Sequence, residues 1–401
     1  MLRPRRTCAP PPGIPRSGTG SPWARVLAIW IASRSFFLVV GAVGTALLDD
    51  ADVVGAYPEP VGALGYWAHW DGRWFAHIAE HGYDSTSATA FFPLYPLLLR
   101  AGLEAGLGVA VAGVILSTVV TLPALYFVHE LARARHGERA AVAATVALAF
   151  FPTAFFLNAV YSDPLFLALS AGSLWAVYVR RDLLLAGLFA YFAAGTRNLG
   201  VLLALTLAYE WVRHRREFGW TALVGVAGPV MGLLTYIIYL WRGAGEPLLF
   251  SLAYRQNWGR EFGSPLGTLW HGLERARDGV EYLVPTRVFE TSSVNPGFLL
   301  SNTLNVVFLG FAVIALVLAI RRVPFGALLY AVPAALGPLL LDLEGLPLIS
   351  YPRYVLVVFP LFIALGPTLA RSRLGLALWV AVNAALGAYM TLLFVTWRWV
   401  A

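Results

Sequence analysis

The sequence predicts an all-α protein that crosses a lipid bilayer many times. Three observations carry this. Apolar residues make up 59 % of the chain and charged ones 13 %, against roughly 45–50 % and 25 % in soluble domains. Mean hydropathy is +0.69. The apolar residues fall in long runs, and the arginines gather in the short segments between them, which is the pattern of spans and loops. There is no lysine; all 29 basic residues are arginine, which with abundant Ala, Gly and Pro reflects a GC-rich genome. In a soluble chain the net charge of +7 would point to nucleic acid. Here it reads as a topology signal, and no nucleic-acid partner is expected. The single cysteine, Cys8, excludes an internal disulfide and a multi-cysteine metal site.

Taken in order, residues 1–22 are rich in Arg, Pro, Gly and Ser and are expected to be disordered and cytoplasmic. Residues 23–401 form the membrane domain. At ~20 residues per helix, they hold about 11 spans: 24–48, 109–131, 140–159, 163–179, 183–196, 198–212, 219–241, 299–320, 324–341, 352–370 and 374–396. The first run is too long for a cleaved signal core and suits a signal anchor. Segment 183–212 has arginines at both ends, so it crosses twice and turns near Thr196, Arg197 and Asn198. Such a turn persists only where protein or a water-filled cavity satisfies its backbone. Segment 89–107 holds Pro93, Pro96, Arg100 and Glu104 and reads as an interfacial helix on the outer leaflet.

This arrangement places 17 arginines inside and 11 outside, with Arg34 within the first span. The bias sets the N-terminus in the cytoplasm and the C-terminus outside. The loops 49–108, 242–298 and 342–351 then face outward. Asn158, Tyr161, Asp163, Arg197 and Arg353 lie at or near the bilayer on the same side. Charged groups there are costly and by default mark a site. The densest cluster of polar and aromatic residues is Tyr66 to Tyr83 in the first loop.

These residue types suit one chemistry. A single carboxylate, Asp71, can take a proton from an attacking hydroxyl. Arginines bind phosphate through a bidentate fork, and Arg73, Arg197 and Arg353 are the candidates. Trp and Tyr rings stack on sugars and anchor a loop at headgroup level. If the stretch is helical throughout, His69, Arg73 and His77 share one face, and the central arginine argues against a metal pair; no metal or cofactor is expected. Simpler roles stay open. The tryptophans can be an interface belt, Asp71 and Asp163 helix caps, Arg197 a partner for broken-helix carbonyls and Arg353 a snorkelling end residue. Arg34 is expected to pair with an acid or a lipid headgroup.

His69-Trp70-Asp71-Gly72-Arg73-Trp74-Phe75, His81-Gly82-Tyr83 and Ala90-Phe91-Phe92-Pro93-Leu94-Tyr95-Pro96 resemble the first outer loop of the PIG-V family, mannosyltransferases of the GT-C class. Phe151-Pro152-Thr153, Tyr161-Ser162-Asp163, Gly195-Thr196-Arg197-Asn198, Gln256-Asn257-Trp258-Gly259-Arg260 and Arg353-Tyr354 continue the resemblance along most of the chain. It departs from the family where Asp163 replaces the usual Glu and where Asp84 follows Tyr83. The resemblance implies a GT-C-like helical bundle whose first outer loop carries interfacial helices. It implies a polyprenyl-phosphate-mannose donor, inversion at the sugar carbon and a base at Asp71. His69, Trp70, Arg73, Trp74, His77, Tyr161, Asp163, Arg197, Arg353 and Tyr354 form the expected substrate-binding set. The composition is bacterial in character, so the expected setting is the cytoplasmic membrane, with a glycan, glycolipid or protein acceptor on its outer side. A transporter or lipid flippase is the alternative, and it calls for matching interrupted helices in two halves.

Overall fold

The computed structural model describes residues 21–50, 62–282, 296–343 and 346–400. The disordered segment expected at the N-terminus and parts of the loops 49–108, 242–298 and 342–351 lie outside the described residues. Among the described residues, sixteen α-helices follow one another: α1 (Pro22–Leu47), α2 (Asp71–His81), α3 (Leu94–Glu104), α4 (Val109–His136), α5 (Glu138–Ala149), α6 (Asp163–Trp175), α7 (Leu183–Thr196), α8 (Leu203–Phe218), α9 (Leu223–Ala244), α10 (Leu249–Gln256), α11 (Pro265–Tyr282), α12 (Pro296–Arg322), α13 (Phe325–Leu336), α14 (Tyr351–Val357), α15 (Pro360–Leu369) and α16 (Arg373–Val395). A two-residue antiparallel ribbon pairs β1 (Glu261–Phe262) with β2 (Leu341–Asp342). It ties the second loop to the segment just before α14.

Among the described residues, five helices are long and apolar enough to cross a bilayer alone: α1, α4, α9, residues 301–322 of α12, and α16. The pair α14 and α15 makes a sixth if taken as one span. Shorter apolar helices lie at α7 and at residues 325–340. The protein is thus an all-helical, multi-pass membrane protein. The expected interfacial segment 89–107 is a separate short helix, α3, which exposes Leu97 and Leu98 and buries Tyr95 and Leu99.

Three expected spans are reshaped, each for a readable reason. The run 140–159 is helical only to Ala149. Pro152 cannot continue the hydrogen-bond ladder and disfavours helix at Phe151. From Phe151 to Ser162 the chain is irregular and wholly buried. The run 352–370 breaks after Val357 and bends by 78° into α15, with Pro360 opening the second helix. The run 198–212 begins as a short 3-10 turn, and regular helix starts only at Leu203. There Gly200 lies against the backbone of Ala193 and Ala194, where a Cβ would come within 2.4 Å of the Ala194 amide nitrogen. The chain folds back on α7, as its flanking arginines require.

Helix α7 packs on α9 through small residues. A Cβ on Gly187 would lie 2.1 Å from the Gly225 carbonyl, and one on Gly228 would lie 2.3 Å from the Gly187 carbonyl. In lipid, where apolar burial gives little drive between helices, such backbone contact is a main source of association.

Buried irregular backbone must find partners inside the protein. Arg34, mid-way along α1 and 2 % exposed, supplies three hydrogen bonds to 149–158. Its Nη1 donates to Ala154 O and to Asn158 Oδ1, both at 2.7 Å, and its Nη2 donates to Ala149 O at 2.8 Å. This corrects the expectation of an acid or headgroup partner: the guanidinium serves the carbonyls that α5 leaves open where it stops. Thr121 Oγ1 donates to Leu157 O (3.2 Å), Thr153 Oγ1 to Pro352 O (3.0 Å), and Val160 N to Trp67 O (2.9 Å). Those last two bonds tie the irregular stretch to α14 and to the first loop.

Candidate active site

The site is built where two helix N-termini meet α14. Asp71 is the first residue of α2 and Asp163 the first of α6. A carboxylate is favoured there by the partial positive charge of the helix start. Neither helix shows a side-chain cap at its preceding residue. Both carboxylates turn to Arg353.

Arg353 Nη1 donates to Asp71 Oδ2 at 2.5 Å, while Nε donates to Asp163 Oδ2 at 2.9 Å and Nη2 stands in ion-pair contact with the same oxygen at 2.8 Å. Arg197, in extended conformation just beyond the end of α7, donates to the other oxygen of Asp163. The result is a continuous chain, Asp71–Arg353–Asp163–Arg197. The Arg353 guanidinium lies over the rings of Tyr161 (4.4 Å) and Phe156 (5.4 Å), and that of Arg197 lies over Tyr354 (5.7 Å). The two acids differ in access. The side chain of Asp163 is sealed at 0 % exposure, whereas that of Asp71 is 31 % exposed.

Backbone conformation aims these groups. Trp70 (φ 54°), Ser350 (φ 63°) and Trp397 (φ 60°) sit in the left-handed half of φ space. For non-glycine residues this costs on the order of 1–3 kcal/mol each and collects at functional sites. Trp70 directly precedes Asp71, and Ser350 directly precedes α14. Gly72 lets α2 approach the irregular stretch: a Cβ there would meet Val160 O at 3.2 Å and the Tyr161 ring at 3.4 Å.

His69 lies outside α2, in extended conformation, so the expected helical face of His69, Arg73 and His77 does not form. His69 is buried, its Nδ1–H donates to Phe394 O at 2.9 Å, and its ring stacks on Trp397 at 3.8 Å. Burial, set against that hydrogen bond and joined by the nearby Arg73 charge, pushes the imidazole down to about 4. Tyr161 OH donates to His69 O at 3.0 Å. Arg73 is buried with its guanidinium 4.5 Å above Trp397, and Trp70 packs edge-on against Trp397 and Trp399. Trp74 stacks on Phe91 and meets Trp258 of the second loop edge-on. His77 turns elsewhere: Nε2 pairs with Asp84 at 2.9 Å and the ring stacks on His81. With six residues separating it from Asp71, it occupies another face of α2.

The sequence reading omitted two contributors. Arg260 of the second loop donates through Nη1 to Tyr354 OH at 2.7 Å. These two residues adjoin a small recess, of about 10 Å³, walled by Pro338, Leu341, Leu343, Leu348 and Ile349. The C-terminal Trp397 and Trp399 cover His69, Trp70 and Arg73. Arg260 stood within a quoted motif but far along the chain, and the sequence reading gave the terminal tryptophans no role.

Residues 57–216 match the family model described as Mannosyltransferase (PIG-V). Over that segment the chain is similar to the PIG-V mannosyltransferases. The matched segment holds Asp71, Asp163 and Arg197, while Arg260, Arg353 and Tyr354 lie beyond it. Among curated proteins, GPI alpha-1,6-mannosyltransferase 2 of Homo sapiens is 30 % identical over 200 residues, covering 44 % of this chain and 40 % of that protein. The Rattus norvegicus protein of the same name is 29 % identical over 233 residues, covering 52 % and 46 %. The PIG-V-like chain therefore spans less than half the length of these relatives. Among solved structures, ArnT from Cupriavidus metallidurans bound to undecaprenyl phosphate superposes with a TM-score of 0.49 at 16 % identity, over 86 % of this chain and 60 % of that one.

Proposed function

We propose that this protein is a membrane glycosyltransferase that moves a mannose from a polyprenyl-phosphate carrier to an acceptor hydroxyl, with inversion, on the extracytoplasmic face. One observation carries the reading. The charged chain has a single open carboxylate, Asp71, backed by a sealed one that holds two arginines. Asp71 takes the proton of the acceptor hydroxyl. The acceptor oxygen then bonds to the sugar's anomeric carbon as the bond from that carbon to the phosphate oxygen breaks. The polyprenyl phosphate leaves with the electron pair, and its charge is met by fixed guanidinium groups. Arg353 and Arg197 lie nearest, with Arg260 beside the small recess. The excess of arginine on the opposite side of the membrane supports an outward site. The acceptor is a hydroxyl of an envelope glycan, glycolipid or protein.

The transporter alternative calls for paired interrupted helices. Breaks exist at Arg197 and after Val357. The arginines beside them converge on one buried aspartate, which favours a fixed site over a rocking one. Purified protein in detergent, given labelled polyprenyl-phosphate-mannose and an envelope extract, tests the reading. Transfer from the lipid-linked sugar but not from a nucleotide sugar is expected. Transfer only from the nucleotide sugar would refute the donor.

A further inference from the structure

The proposed reaction asks Asp71 to accept a proton while its Oδ2 is held by Arg353 Nη1 at 2.5 Å. While that contact holds, Oδ2 is engaged by Nη1 and is not open to an acceptor hydroxyl. The surroundings of Arg353 offer a way out. Its Nε and Nη2 are fixed to Asp163, which is sealed and also held by Arg197. Its plane is clamped against Tyr161 and Phe156. Nη1 is the arm turned toward the exposed carboxylate. An anion entering from the open side meets that arm with Asp71 as its competitor, and releasing Asp71 needs only a side-chain rotation.

We propose that Arg353 Nη1 serves Asp71 and the donor phosphate in turn, so that the arriving phosphate displaces the carboxylate and leaves it free to act as base. The inference rests on the lipid-phosphate reading above and adds an order to it. Donor binds first, and the base is released only when there is a sugar to transfer. Asp163 is the positioning residue of this exchange. It touches no substrate and keeps Arg353 in place while Nη1 changes partner. Arg197, tied to the same aspartate and 14 % exposed, adds a second cation on the same anchor.

The test is a binding cycle that needs no turnover. Full-length protein in dodecyl maltoside is titrated with undecaprenyl phosphate and with undecaprenol, followed by tryptophan fluorescence. Wild type, Asp71→Asn, Arg353→Gln and the double variant are compared. Wild type should prefer the phosphate. Asp71→Asn, which no longer competes for Nη1, should bind the phosphate roughly tenfold more tightly. That gain should vanish in the Arg353→Gln background. If Arg353→Gln does not fold, Arg353→Lys keeps a charge against Asp163 without the arm that reaches Asp71, and the gain should again be lost. An Asp71→Asn variant that binds no more tightly overturns the exchange. So does an equal gain with and without Arg353, which would be general charge repulsion. In both cases wild-type preference for the phosphate leaves the donor reading standing. No preference for phosphate over alcohol in any variant overturns both.

Discussion

Asp163 holds Arg353 by two nitrogens, at 2.9 and 2.8 Å, in a position with no solvent exposure at all. A buried ion pair of this kind contributes little net stability against an apolar substitute, but removing one partner leaves an uncompensated charge. Asp163→Asn strands Arg353 and Arg197 together. It is expected to destabilise the protein by about 3–5 kcal/mol, read as a lowered unfolding midpoint in detergent. Asp71→Asn, at the exposed end of the same chain, should shift that midpoint far less.

The reverse ordering is expected for turnover. Asp71→Asn should lower the transfer rate by about 10²–10⁴-fold while the protein still inserts and binds lipid phosphate. Initial rates with labelled polyprenyl-phosphate-mannose, normalised to folded protein, measure this. Undiminished transfer by purified Asp71→Asn would remove the mechanism.

Arg34 makes three hydrogen bonds to the stretch that carries Tyr161 and Asp163. Each carbonyl left open inside the protein costs ~1–3 kcal/mol. Arg34→Met should therefore lower the unfolding midpoint and also the transfer rate, since the irregular stretch positions Asp163. Arg34→Lys should fall between, because one ammonium cannot meet all three oxygens.

His69 gives the protein a pH dependence of definite sign. Its folded value of about 4 lies below the ordinary value of about 6.5. On acidification the unfolded chain takes up the proton first. The stabilisation is therefore complete above about pH 6.5 and is lost as pH falls from there toward 4. Unfolding midpoints across that range should decline for wild type and flatten for His69→Phe. A decline of the same size in both would assign the acid sensitivity to other groups.

Much of this arrangement was legible in the chain. Long apolar runs bounded by arginines located α1, α4, α7, α9, α12 and α16. The cost of charge in a bilayer singled out Asp163, Arg197 and Arg353, and these three form one chain that ends on Asp71. The failures share a physical origin. Extending one helical face from His69 to His77 assumed regular backbone through Trp70, and a bulky residue at positive φ is not foreseeable from sequence. Counting 140–159 as one span gave apolar content priority over Pro152, although proline sets where a helix must stop. Arg260, Trp397 and Trp399 were missed as contributors because contacts across 94 residues or more leave no local periodicity.

The C-terminal aromatic lid sets a timetable. The Phe394 carbonyl accepts a hydrogen bond from His69 Nδ1–H, and Trp397 and Trp399 lie on the residues that precede Asp71. A ribosome making roughly 5–20 residues per second inserts the first loop long before those aromatics exist. The reaction centre thus stays unroofed until residues 394–399 have been made. Insertion of the early helices and acquisition of the finished centre can therefore be followed as separate steps in a translation time course.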